Sequence, residues 1–98
     1  MTKAYWVAHV EIDDAEAYEA YRQANALPFA RYGARFLVRG GEQQVVEGSA
    51  KSRTVVIEFA DLETARACYH SPEYQAAKAL REPVSRADVM IVAGWDAA

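Results

Sequence analysis

The chain has 98 residues, 52% hydrophobic and 26% charged, with a formal net charge of −3. That length suits a single domain over residues 1–98 with one core, and the acidic balance argues against nucleic acid, which calls for a basic stripe. No apolar run approaches the about 20 residues needed to span a bilayer, and the single cysteine, Cys68, excludes an internal disulfide and a cysteine-cluster metal site.

The opening segment MTKAYWVAHVEIDD has a short, alternating apolar run followed at once by acids. It is not expected to be a signal peptide, and the expected location is cytoplasmic. Ala4 to Ile12 is predicted as the first strand, with Trp6, Ala8, Val10 and Ile12 facing helices and Tyr5, Val7, His9 and Glu11 facing away. Asp13 or Asp14 caps a helix whose buried stripe is Ala17, Tyr18, Tyr21, Ala24 and Leu27. Pro28 kinks this helix or starts a second piece, with the break near Asn25 or Ala26, and Gly33 ends it.

Two β-rich runs then flank paired glycines and a polar connection, which predicts an antiparallel hairpin between Ala34 and Ala60. In its first strand Phe36 and Val38 point one way and Arg35, Leu37 and Arg39 the other. In its last, Val55, Ile57 and Phe59 oppose Thr54, Val56 and Glu58. Gln43 to Glu47 are the candidate for a short extra strand or a β-arm. Asp61 caps the next helix, where Leu62, Ala65, Cys68 and Tyr69 share a face. Ser71-Pro72-Glu73 marks a restart, with a serine cap, proline at the first helical position and an acid in the first turn. That helix runs to Arg81 or Glu82 and breaks at Pro83, and Val89 to Trp95 is the last strand.

The order β-α-β-β-α-β is the ferredoxin-like α+β arrangement, a four-stranded antiparallel sheet with helices on one face. Its other face carries Val7, Leu37, Val56, Met90 and Val92, too much apolar surface to be left to solvent. The expected partner is therefore a second copy, in a homodimer built through the sheet faces.

The same face is expected to carry Tyr5, His9, Glu11, Arg35, Arg39 and Glu58. The first strand neighbours the third in this topology, and the third borders the second. This reading sets His9 beside Glu58, with Arg35 or Arg39 next to that carboxylate. An imidazole next to a carboxylate is a usable general base, and an arginine holds a carboxylate or enolate. His9, Glu58 and Arg39 are thus the catalytic candidates. The competing reading makes Glu58 and an arginine a structural ion pair and His9 a hydrogen-bonded interface residue. Tyr18, Tyr21, Tyr69 and Tyr74 recur at helical spacing and read as core, His70 as a helix C-terminal dipole partner, and Cys68 as a small apolar filler. There is no GxGxxG motif, and two histidines so far apart give no metal-ligand spacing; no metal or cofactor is expected.

RFLVRGG, VVEG, RTVVIEF and YHSPEYQAAKALR together resemble one family, the small bacterial proteins called domain of unknown function 1330. The most specific part is SPEYQ followed by an arginine, here Ser71 to Gln75 and Arg81. The resemblance implies the dimeric α+β barrel superfamily, in which two ferredoxin-like sheets face each other and enclose cavities. It implies no single activity, since that superfamily spans cofactor-independent quinol monooxygenases, muconolactone-isomerase-like enzymes, haem-degrading enzymes and plain ligand binders. The expected function is a small-molecule enzyme using acid/base chemistry on a small anionic or aromatic metabolite. Its pocket would lie between sheet and helices or between two sheets, with Tyr5, Tyr21, Arg35, Tyr74 and Arg81 as ligand-binding candidates. The alternative is a non-catalytic ligand-binding or structural homodimeric module.

Overall fold

Period-two alternation at the N-terminus produces β1 (Ala4–Ile12), whose Ala4, Trp6 and Val10 are buried beneath the helices. The computed structural model describes residues 2–96. Asp14, in extended backbone, caps α1 (Ala15–Ala24), its carboxylate accepting from the Ala17 N–H at 3.1 Å. The chain breaks at Asn25, and α2 (Ala26–Arg31) restarts with Pro28 in its first turn, where no intrahelical N–H bond is lost. The restart rotates the buried stripe. Pro28 and Phe29 turn inward, while Leu27, expected in that stripe, is 68% exposed. Gly33 ends α2 at a φ of 67°, a left-handed conformation that favours glycine.

The hairpin forms as β2 (Arg35–Arg39) and β3 (Arg53–Phe59). Residues 40–52 between them contain no strand, so Gln43 to Glu47, the candidate for a short strand or a β-arm, form neither. The Gln43 side chain bonds Thr54 Oγ1 at 2.7 Å and the Lys51 carbonyl at 3.0 Å, tying the segment down by side chain instead of by ladder. Asp61 caps α3 (Leu62–His70) through the Thr64 N–H at 2.7 Å, and Ser71 caps α4 (Pro72–Arg81) through the Tyr74 N–H at 3.1 Å. A 3₁₀ turn over Glu82–Val84 holds Pro83 and leads into β4 (Ser85–Ala93). This strand starts at Ser85, not Val89, and stops at Ala93, before Trp95. Its polar first half hides the alternation: Ser85 and Ala87 pack inward, while Arg86 pairs with Asp13 at 2.9 Å and Asp88 with Lys51 on the other side.

All strand pairs are antiparallel, in the order β2-β3-β1-β4, and the helices cover one face. This is the ferredoxin-like α+β fold. Trp6 anchors the core, with ring centroids 4.9 Å from Tyr74, 5.2 Å from Phe59, 5.3 Å from Phe29 and 5.6 Å from Tyr69. Its indole N–H donates to the Ala65 carbonyl at 2.9 Å, which satisfies the one polar atom of a deeply buried ring. Among the described residues no helix is long and apolar enough to cross a membrane, and no group of three or more His, Cys, Asp or Glu side chains is placed to hold a metal.

One irregularity decides where the functional side chains go. Across β2 and β3, Phe36 pairs with Ile57 and Val38 with Val56, so Leu37 is an extra residue in a β-bulge. Alternation restarts beyond it. Val38 moves to the helix-free face, and Arg39, opposite Val55, moves beneath the helices. The expectation that Arg35, Leu37 and Arg39 share one face is corrected by this bulge.

Candidate functional site

The expected catalytic constellation separates in register. Glu58 pairs with Tyr5 of β1 and Arg35 of β2, whereas His9 pairs with Thr54 of β3 and Asp88 of β4. His9 and Glu58 therefore stand four residues apart along the ladder, about 13 Å, too far for an imidazole–carboxylate couple. His9 Nδ1 lies 3.3 Å from Thr54 Oγ1, and Glu58 is salt-bridged to Lys3 at 3.7 Å. Tyr5 and Arg35 stay with Glu58 on the helix-free face. Arg39 does not join them.

Tyr21, Tyr74, Arg81 and Arg39 instead meet in a cavity between the helical face of the sheet and the helices α1, α2 and α4. Its floor includes Ala8 and Val10 of β1, Val55 and Ile57 of β3, and Ala87 and Val89 of β4. Trp6, Phe29 and Phe36 form aromatic walls. The cavity is small, about 40 Å³, and opens to solvent on one side.

Its polar groups are guanidiniums, phenol hydroxyls and the Asn25 amide, so donors predominate. Tyr21 Oη and Tyr74 Oη are hydrogen-bonded at 2.9 Å, tying α1 to α4, and Arg81 Nη2 donates to Tyr74 Oη at 3.4 Å. Arg81 is only 7% exposed, and its guanidinium also lies 5.5 Å from the Tyr21 ring centre. Burial pushes the Tyr21 phenol well above its ordinary value, with Tyr74 beside it adding to the shift. Burial also raises Tyr74, partly opposed by the Arg81 cation. Both phenols are neutral at ordinary pH.

Among the described residues four arginines line this cavity, Arg22, Arg39, Arg53 and Arg81, and no Asp, Glu, His or Cys does. Arg22 has a carboxylate in reach, Glu19 at 3.5 Å. Among the described residues none of the other three forms a salt bridge. Arg53 Nε is moreover buried without any hydrogen-bond partner. An unsatisfied guanidinium nitrogen is a costly arrangement, and Arg53 belongs to the cavity lining. The Arg53 head rests against Gly40, so closely that a Cβ built there would meet Nη1 at 2.0 Å. Arg39 lies with its guanidinium 4.2 Å from the Phe36 ring centre, stacked on the cavity's aromatic wall.

The family model described as "Domain of unknown function (DUF1330)" matches residues 3–95. The chain belongs to this family. Among solved structures, this DUF1330 chain is similar to a protein of unknown function from Rhodopseudomonas palustris, RPA0582, at 15% identity and a TM-score of 0.76, covering 97% of this chain and 84% of that one. It is similar to SnoaB, a cofactor-independent oxygenase from Streptomyces nogalater, at 13% identity and a TM-score of 0.63, covering 98% and 96%. It is also similar to a dimeric ferredoxin-like protein of unknown function from Jannaschia sp. CCS1, at 16% identity and a TM-score of 0.66, covering 92% and 97%. At these identities the likeness shows the fold. A comparison with curated proteins finds no match.

The sequence reading of this DUF1330 protein missed Arg53, Asn25 and Arg22 as cavity residues. Arg53 carried a usable signal, since it shares the parity of Val55, Ile57 and Phe59 and so sits at the end of the helix-facing row. Asn25 is buried at the α1–α2 break, and nothing in its sequence context marks it as more than a helix boundary.

Proposed function

We propose that this protein is a homodimeric binder of small apolar or aromatic carboxylates, with the ligand seated in the helix-side cavity. The observation that carries this reading is electrostatic: four arginines and no carboxylate line one cavity in a chain of net charge −3. Arg22 is answered by Glu19 and Arg81 gives one N–H to Tyr74, so among the described residues Arg39 and Arg53 are the two with no hydrogen-bonded side-chain partner. Guanidinium groups bind carboxylates through paired N–H donors, and they do so more strongly where the walls exclude water. Trp6, Phe29 and Phe36 favour a flat, apolar body behind the acid group. A lining without carboxylate, imidazole or thiol offers mainly donors, which favours binding over the acid/base catalysis expected of His9 and Glu58.

The dimer is supported by the helix-free face, where Val38, Met90 and Val92 are 40%, 50% and 45% exposed in a single chain. The Jannaschia neighbour, described as dimeric, has the same fold. On this reading His9 and Glu58 belong to the interface, and the light-scattering mass is that of two chains.

The test is a melting experiment with benzoate and its neutral analogue benzyl alcohol. At one hundred times its dissociation constant benzoate stabilises by about 2.7 kcal/mol, a rise on the order of 10 °C or more for a domain this size. Benzyl alcohol leaves the melting temperature unchanged, and Arg53→Met removes the benzoate response. Equal responses to acid and alcohol, or none to either, would sink the reading.

A further inference from the structure

Arg39 and Arg53 account for one end of the cavity, but not for the two phenols at the other. Tyr74 packs on Trp6, with ring centroids 4.9 Å apart. Arg39 stands at the Ala8–Val55 position of the ladder and Arg53 opposite Val10. From Trp6 to Ala8 is two residues of β1, about 7 Å, and to Val10 four, about 13 Å, so Arg53 stands farthest from the phenols along the strand.

The hydrogen-bond inventory at the phenol end is uneven. Tyr21 and Tyr74 bring two hydroxyl protons, and the 2.9 Å bond between their oxygens uses one. Arg81, which can only donate, supplies a further proton to Tyr74 Oη at 3.4 Å. Whichever way the phenol pair is directed, one O–H remains with no claim on it from the pair itself. Both side chains are buried and both line the cavity.

We infer that the Tyr21–Tyr74 pair is a second anchor, donating a neutral hydrogen bond to a carbonyl oxygen, so that the ligand is a carboxylate carrying a carbonyl group at its far end. The inference rests on the reading that Arg39 and Arg53 seat the acid. Arg81 is the positioning residue: it donates to Tyr74 and lies against the Tyr21 ring, which fixes the pair. The phenols are suited to this part because burial keeps them protonated across the physiological range. A neutral O–H suits an uncharged acceptor such as a carbonyl, while the paired N–H donors of Arg39 and Arg53 hold the acid.

The test compares two ligands of the same shape, 4-acetylbenzoate and 4-isopropenylbenzoate, which differ by an oxygen in place of a methylene. Calorimetric titration of the unaltered protein should show the ketone binding about three- to tenfold more tightly, the ratio a single net hydrogen bond supplies. In Tyr21→Phe and in the double variant Tyr21→Phe/Tyr74→Phe that ratio should fall towards one, with isopropenylbenzoate affinity retained. Equal affinities in the unaltered protein, both lost in Arg53→Met, would overturn the inference while leaving the acid seat standing. A preference that survives the double variant would overturn it too. Binding of neither compound would remove the acid seat and the inference together. The comparison in the unaltered protein decides the matter even if a variant fails to fold.

Discussion

Tyr21 Oη and Tyr74 Oη lie 2.9 Å apart and join the first and last long helices over the centre of the sheet. The bond is buried, so it adds to stability as well as to the site. Tyr21→Phe removes one partner and leaves Tyr74 with Arg81 alone. It should cost about 1 kcal/mol, seen as a fall of about 4–8 °C in melting temperature, with an unchanged far-ultraviolet spectrum. A melting temperature equal to the parent's would show that the bond contributes nothing net.

Alkaline titration should expose the buried phenols. Burial raises Tyr18, Tyr21 and Tyr74 above their ordinary value. A raised folded value means that folded protein holds these protons longer than unfolded chain does. The associated stability is therefore whole below about pH 10 and declines as pH rises beyond it. Of the six tyrosines, these three should ionise late in native protein when absorbance near 295 nm is followed, and with the rest in denaturant. A single native transition identical to the denatured one would contradict this.

Cys68 offers a probe of core integrity. It is fully buried, and burial with the nearby Glu73 charge pushes its thiol up to about 12. Thiolate is the reactive form, so a disulfide reagent should modify the native protein only at the rate of unfolding and the denatured chain at once. Rapid modification of native protein would mean that the α2–α3 packing opens locally.

Gly40 couples backbone to site. Its φ of +70° disfavours any side chain, and an added Cβ would strike the Arg53 guanidinium. Gly40→Ala should cost about 1–2 kcal/mol through the left-handed backbone alone, and should also displace Arg53 and weaken benzoate binding. Lost stability with unaltered benzoate affinity would detach Arg53 from the acid seat.

Most of the fold was legible in the sequence because its signals are local. Asp61 and Ser71 cap the helices they promised to cap, Gly33 ends α2, and the alternation of β1 gives the observed faces. The site was less legible because it depends on register. Leu37 looks like any strand residue, yet as a bulge it carries Arg39 through the sheet. His9 and Glu58 share a face as their parity says, but parity does not fix the sliding of β1 against β3 that sets them four residues apart. Ser85 to Asp88 lay outside the expected strand because a half-buried edge strand can place small and charged residues in alternation without any large apolar side chain.

The most direct test is crystallographic: a complex with 4-bromobenzoate, with the bromine located by its anomalous scattering. The expected peak lies beneath the helices, among Trp6, Phe29 and Phe36, with the carboxylate on Arg39 and Arg53 and Arg53 Nε no longer unpartnered. A peak on the helix-free face near His9 and Arg86, or no peak in a crystal grown at saturating ligand, would contradict the assignment of the cavity as the binding site.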